Sequence, residues 1–208
     1  MIKRMIDLVV AFFALLVLSP FLIIIVIWVK LDSTGPIFFR QTRAGRFNKP
    51  FKIYKFRSME VNAESRGRQI TTSEDPRVTR SGRFLRRTKL DELPQLFNVL
   101  LGDMSLVGPR PEVQKYVELF RADYEEVLSL KPGITDFATI EFRDEESVLQ
   151  GYSDPEAGYV QEVLPRKIAL YKKYIREQGT WTDIKLILLT LLKVMHINTD
   201  LSDSHTKQ

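Results

Sequence analysis

Gly-Arg-Phe-Leu-Arg-Arg-Thr-Lys-Leu-Asp-Glu-Leu-Pro-Gln-Leu-Phe-Asn-Val-Leu-Leu-Gly-Asp-Met-Ser-Leu-Val-Gly-Pro-Arg-Pro occupies residues Gly82 to Pro111, and the rest of the chain is read outward from it. Pro94 has no amide to donate and its ring clashes with a preceding turn, so it belongs in the first turn of a helix beginning near Leu93. Leu93, Leu96, Phe97, Leu100 and Leu101 keep helical spacing, and Gly102 provides a left-handed stop. Asp91 and Glu92 then stand at a helix N-terminus, where the macrodipole favours negative charge and also draws phosphate. Arg80, Arg83, Arg86, Arg87 and Lys89 lie just upstream, enough positive charge for two or more phosphate groups. By itself the pair fits an ordinary capped helix start beside a solvated basic surface equally well.

Composition narrows the chemistry. The 208 residues leave room for one domain and an appendage, and 31 Lys and Arg against 26 Asp and Glu give a net charge of +5, which suits anionic partners. No cysteine is present, and the two histidines, His196 and His205, lie in or beside a polar C-terminal tail. Thiolate nucleophiles, disulfides and cysteine-ligated metals are excluded, so any catalysis falls to carboxylates, Lys, Arg or hydroxyls, with a hard cation if a metal takes part. There is no Walker loop, Gly-x-Gly-x-x-Gly or Asp-x-Asp.

Leu8 to Val29 is an apolar run of 22 residues broken only by Ser19 and Pro20, about 33 Å as a helix. It is longer than the apolar core of a signal peptide, and no small-x-small cleavage site follows. Lys3 and Arg4 precede it, while Lys30, Arg40, Arg43, Arg46 and Lys49 follow, so both flanks are positive and both belong on the cytoplasmic side. A re-entrant helix satisfies this, with Ser19 and Pro20 as the membrane-helix break and two arms of about 12 residues. A kinked spanning helix is the competing reading.

Ile37 to Thr42 and Phe51 to Arg57 read as two short strands, and Lys55 and Arg57 share one face of the second. They are read as phosphate ligands, a solvated strand face or lipid-headgroup contacts. Glu60 to Arg80 reads as a long loop. Arg110, held between Pro109 and Pro111, suits a fixed oxyanion ligand, or an exposed arginine on a structural turn. Val113 to Leu130 reads as one helix, Ile134 to Phe142 as a strand or extended segment, and Asp154 to Glu177 as an amphipathic helix. Trp181 to Met195 is too short to span and reads as an interfacial or a core helix.

Taken together, Ser19-Pro20, Lys55-Phe-Arg-Ser-Met59, Leu90 to Ser105, Gly108-Pro-Arg-Pro111 and Pro132-Gly-Ile-Thr135 resemble the bacterial sugar transferases, the monotopic phosphoglycosyl transferases. The resemblance covers most of the chain and implies transfer of a sugar-1-phosphate from a UDP-sugar to a polyprenol (undecaprenyl) phosphate, releasing UMP. It implies that Asp91 is the nucleophile, that Asp91 and Glu92 bind Mg2+ or orient the reacting groups, and that Lys55, Arg86, Arg110 and Arg143 bind substrate phosphate, with Arg57 and Arg87 as further candidates. An aspartyl phosphate is an established covalent strategy, and retained sugar configuration follows from reaction at phosphorus alone. The implied fold class is α+β: a small, mostly helical catalytic domain with a short β-hairpin, an N-terminal re-entrant membrane helix and amphipathic interfacial helices. The expected organisation is 1–33 membrane helix, 34–197 cytoplasmic domain and 198–208 polar tail. The expected location is the cytoplasmic face of the bacterial inner membrane, with membrane lipid as a partner, no nucleic acid, and a homodimer compatible with the pattern. Asp136, Thr139 and Phe142 stand where the family has Gly, Gln and Gly, which touches the sugar pocket. A membrane-anchored basic phosphohydrolase and a non-enzymatic module for anionic ligands are the alternatives.

Overall fold

A computed structural model describes residues 2–63, 70–72 and 75–194. The polar tail, Met195 and both histidines lie outside the described residues, as does part of the expected 60–80 loop. The fold is α+β, dominated by helices, with an antiparallel hairpin and a second two-stranded parallel sheet.

Helix α1 (Ile2–Asp32) is 31 residues long, about 46 Å at the α-helical rise. Asp7, Ala11, Ile25 and Val29 are buried, with Leu15, Leu18 and Leu22 packed beside them, so one stripe lies against the domain along both halves of the helix. Its outer face remains apolar, with Phe13, Leu16, Val17, Ile24 and Ile27 exposed. An apolar outer surface is what lipid accommodates and water does not. The break expected at Ser19 and Pro20 does not interrupt the helix. Pro20 deprives the Leu16 carbonyl of its usual donor, and the Ser19 hydroxyl donates to that carbonyl instead at 2.8 Å.

Both ends of α1 are tied down. Arg4 donates to the Val99 and Leu100 carbonyls at 2.6 and 3.2 Å, and Asp7 accepts from the Ser105 hydroxyl and the Leu106 amide at 2.8 and 3.1 Å. At the far end Asp32 accepts from the Ser81 amide and hydroxyl, both at 2.8 Å.

Strands β1 (Phe38–Ala44) and β2 (Pro50–Phe56) form the hairpin, in register from Phe38 against Phe56 to Ala44 against Pro50. The cationic run becomes helix α2 (Arg80–Thr88), whose start is capped by the Thr79 hydroxyl accepting from the Gly82 amide at 3.0 Å. Lys89, left-handed at φ 59°, ends it and turns the chain into a 3₁₀ turn over Leu90–Glu92. Helix α3 (Gln95–Leu101) follows Pro94 and stops at Gly102, φ 95°.

Strand β3 (Ser105–Val107) pairs in parallel with β4 (Gly133–Thr135). Between them lie α4 (Gln114–Leu119) and α5 (Arg121–Val127), two helices where the periodicity implied one, since Phe120 at φ −117°, ψ 38° leaves helical geometry. The extended segment expected through Phe142 ends at Thr135. Asp136 caps a new helix, α6 (Phe137–Glu141), by accepting from the Thr139 amide at 2.6 Å, and this outweighs the β-propensity of Thr139 and Ile140. Helices α7 (Glu145–Gln150) and α8 (Pro155–Gly158) lead through a π turn into α9 (Leu164–Glu177). Helix α10 (Thr180–Val194) combines both sequence readings: Leu186 is buried in the core, while Trp181, Leu188 and Leu191 are exposed.

Candidate active site

Two segments converge on Glu92 in the 3₁₀ turn. Strand β2 delivers Lys55, whose Nζ donates to Oε1 at 2.8 Å, and the Pro109–Pro111 segment delivers Arg110, whose Nη1 donates to Oε2 at 2.9 Å. Arg110 Nη2 also donates to Oε1, so the guanidinium grips both carboxylate oxygens. The backbone beneath Arg110 is fixed too. Its amide donates to Asp136 Oδ2 at 3.2 Å, and Gly108 crosses Gly133 so closely that a β-carbon on Gly133 would lie 2.1 Å from the Gly108 nitrogen.

These contacts set opposite tendencies in the adjacent carboxylates. Burial alone would raise Glu92, but Arg110 and Lys55 outweigh it and hold the group well below the usual carboxylate range. Burial also dominates at Asp91, where Lys55 offsets it only partly and ionised Glu92 adds to it, pushing the carboxyl up to about 6. Asp91 is 5% exposed, and its Oδ1 is buried without a hydrogen-bond partner. Burial lowers the pKa of Lys55, although Glu92 works in the opposite direction. The pair therefore divides into one carboxylate fixed between two cations and one buried carboxylate, its pKa raised by burial and its Oδ1 unpartnered. That combination suits a nucleophile beside a cationic phosphate cradle.

The other expected site residues have different surroundings. Arg86 points from α2 to Glu146 of α7, with Nε and Nη2 at 3.1 and 2.5 Å from Oε1, and its charge acts on Asp91. Arg87 is exposed on the outer face of α2. Arg57 is buried, and its donors go to the carbonyls of Pro36, Val29 (3.0 Å) and Ser33 (2.7 Å) and to the Ser33 hydroxyl (2.9 Å). It thus holds the end of α1 rather than standing beside Lys55, because β2 ends at Phe56 and strand alternation ends with it. Arg143 donates through Nη1 to the Lys193 carbonyl, tying the α6–α7 junction to α10. The expected carboxylate capping of the central helix is also absent: Pro94 precedes α3, and Glu92 turns to the cations instead.

Two residues around the site carry no sequence signal of their place in it: Glu146, which pairs with Arg86, has no motif, and Asp136, which accepts from the Arg110 amide, reads only as a departure from the family pattern. Among the described residues no group of three or more His, Asp or Glu side chains is placed to hold a metal. Both Glu92 oxygens are occupied by cations, which leaves Asp91 as the carboxylate of the pair open to a hard cation, the remaining positions falling to phosphate and water.

A buried Asp91 beside a part-buried Glu92 gripped by Lys and Arg, on a small domain that carries a long lipid-compatible helix, has the chemistry to receive an anionic group at a membrane. Residues 1–197 match the bacterial sugar transferase family, and the chain belongs to it. It is 44% identical over 197 residues to the UDP-glucose:undecaprenyl-phosphate glucose-1-phosphate transferase of Escherichia coli (strain K12), covering 93% of this chain and 40% of that protein. It is 37% identical over 200 residues to the UDP-N-acetylgalactosamine-undecaprenyl-phosphate N-acetylgalactosaminephosphotransferase of Aeromonas hydrophila, covering 93% of this chain and 44% of that protein. The chain spans about two fifths of the length of these curated relatives. Their names carry different sugars, so family membership does not select the sugar.

Proposed function

We propose that the protein transfers a sugar-1-phosphate from a UDP-sugar to a polyprenol phosphate through a covalent phosphosugar on Asp91. The observation that carries this reading is the division of labour in the pair, with Glu92 clamped by Lys55 and Arg110 beside an Asp91 that has an unpartnered oxygen. In the first step an Asp91 oxygen attacks the sugar-proximal phosphorus, the bond from that phosphorus to the UMP oxygen breaks, and UMP leaves with the electron pair. In the second step a phosphate oxygen of the lipid attacks the same phosphorus and Asp91 leaves as a carboxylate. The sugar keeps its anomeric configuration because no bond to that carbon breaks.

Lys55 and Arg110 spread positive charge over the phosphoryl oxygens, and the bidentate contact with Glu92 keeps Arg110 preorganised before substrate arrives. Arg86 adds charge from the α2 side. Mg2+ would be held by Asp91 with the substrate diphosphate, Glu92 joining only by releasing a cation, and would neutralise charge on that diphosphate.

The membrane arrangement follows the same logic. Arg4 and Asp7 at one end of α1, and Val29 and Asp32 at the other, bond to one folded domain, which supports a same-side, monotopic placement over a crossing of roughly 30 Å of hydrocarbon. A nucleotide-sugar donor puts that side in the cytoplasm, at the inner membrane. Amphipathic α10 would lie at the headgroup plane with Trp181 toward lipid.

Protein held in nanodiscs is incubated with Mg2+ and a panel of UDP-sugars, following UMP and intact mass. One sugar should give stoichiometric UMP and a mass gain of one sugar phosphate, discharged by polyprenol phosphate and lost in Asp91→Asn. No UMP from any sugar, or normal turnover by Asp91→Asn, would refute the mechanism, and continuous UMP without lipid acceptor would mark a hydrolase.

A further inference from the structure

Gln95 is completely buried, yet neither its side-chain nitrogen nor its side-chain oxygen has a hydrogen-bond partner. Four residues earlier, Asp91 Oδ1 is in the same condition. Leu93 and Pro94 between them both have right-handed helical backbone angles, so the 3₁₀ turn runs into α3 without a break in direction. Across a 3₁₀ turn and the first turn of an α-helix, residues four apart lie within roughly a third of a turn of one another around the axis.

The same face is located independently by Asn98, one turn further on. Its side chain accepts from the Tyr54 amide at 2.9 Å and donates to the Lys52 carbonyl at 2.8 Å, so this side of α3 looks onto β2. One turn back, Gln95 therefore faces the part of β2 that supplies Lys55, the cation on Glu92. An apolar side chain of the same length would fill this space without stranding an amide, and stranded buried amides are costly. Asp91 Oδ1 is a strong acceptor lacking a donor, and Gln95 Nε2 is a donor lacking an acceptor.

We propose that Gln95 is a positioning residue for Asp91, its Nε2–H donating to the buried Oδ1 as the phosphosugar forms so that Oδ2 is the oxygen that attacks phosphorus. The inference rests on Asp91 acting as the nucleophile. In the ligand-free arrangement the two groups are not bonded. The donation withdraws one oxygen from competition and fixes the approach angle of the other. The donation acts on the chemical step, through the geometry of Asp91.

The test compares wild type with Gln95→Met, which keeps length and removes the amide, and with Gln95→Leu as a second apolar replacement. Ligand-free melting temperature in nanodiscs is read first. The proposal expects it to stay level or rise in at least one variant, because an unsatisfied amide has gone; a fall of more than about 5 °C in both would mean that Gln95 is bonded within the fold, overturning the premise. For the stable variant, single-turnover UMP release should fall about 100-fold while KM for the UDP-sugar stays within about threefold. A rate within twofold of wild type, or a loss confined to KM, would overturn the proposal. If wild type itself releases no UMP with any UDP-sugar, the parent mechanism fails. The melting data then decide only whether the amide is unsatisfied, so the two failures are distinguishable.

Discussion

Replacing Asp91 by Asn should stabilise the protein while abolishing transfer, and the stability gain should depend on pH. The folded protein holds the Asp91 carboxyl at about 6 against an ordinary 3.8, with burial as the main cause. A raised pKa means that the folded state binds the proton more tightly than the unfolded chain. The group's contribution is therefore fully present below 3.8 and is lost as pH rises through 6. Integrated over both states, the ionised carboxylate costs folding roughly 3 kcal/mol at pH 7 and less than about 1 kcal/mol at pH 4. Asn keeps the shape and the buried carbonyl oxygen but never ionises. The variant should thus melt about 6–12 °C above wild type at pH 7 and only about 1–2 °C above it at pH 4. Differential scanning fluorimetry on nanodisc-held protein at both pH values measures this, with intact mass confirming that no adduct forms. A variant that melts at or below wild type at pH 7, or by an offset independent of pH, would refute the assignment of Asp91 as a buried, poorly compensated carboxylate.

Arg110→Ala should lose about 2–4 kcal/mol, because part-buried, ionised Glu92 then keeps only Lys55. Adding Glu92→Gln should restore much of the melting temperature without restoring UMP release, and additive losses in that double-mutant cycle would count against direct coupling. Arg57→Ala should cost about 3 kcal/mol and expose the 33–37 segment to limited proteolysis, since its guanidinium holds the Val29, Ser33 and Pro36 carbonyls. Its single-turnover UMP release per folded molecule should stay within about threefold of wild type, and a loss like that of Arg110→Ala would return Arg57 to the site.

What the sequence determined on its own was the range of the chemistry and the approximate address of the candidate site. A chain without cysteine, with its only histidines in or beside the polar tail, leaves any catalysis to carboxylates, Lys, Arg or hydroxyls. Pro94 and Gly102 bracket the helix after Asp91-Glu92, and the flanking prolines mark Arg110 as a fixed cation. The apolar run and its charges identify α1 because burial in lipid is a property of composition. Only the tertiary structure decided which charges meet. Lys55 and Arg57 are equivalent by strand periodicity, but β2 ends between them, so one reaches Glu92 and the other holds α1. Asp91 and Glu92 are equivalent as neighbouring carboxylates, but Lys55 and Arg110 converge from distant parts of the chain on Glu92 alone, leaving Asp91 Oδ1 buried without a partner. Burial and ion pairing depend on segments that are far apart in sequence, so no local pattern encodes which carboxylate is clamped and which is left unpartnered.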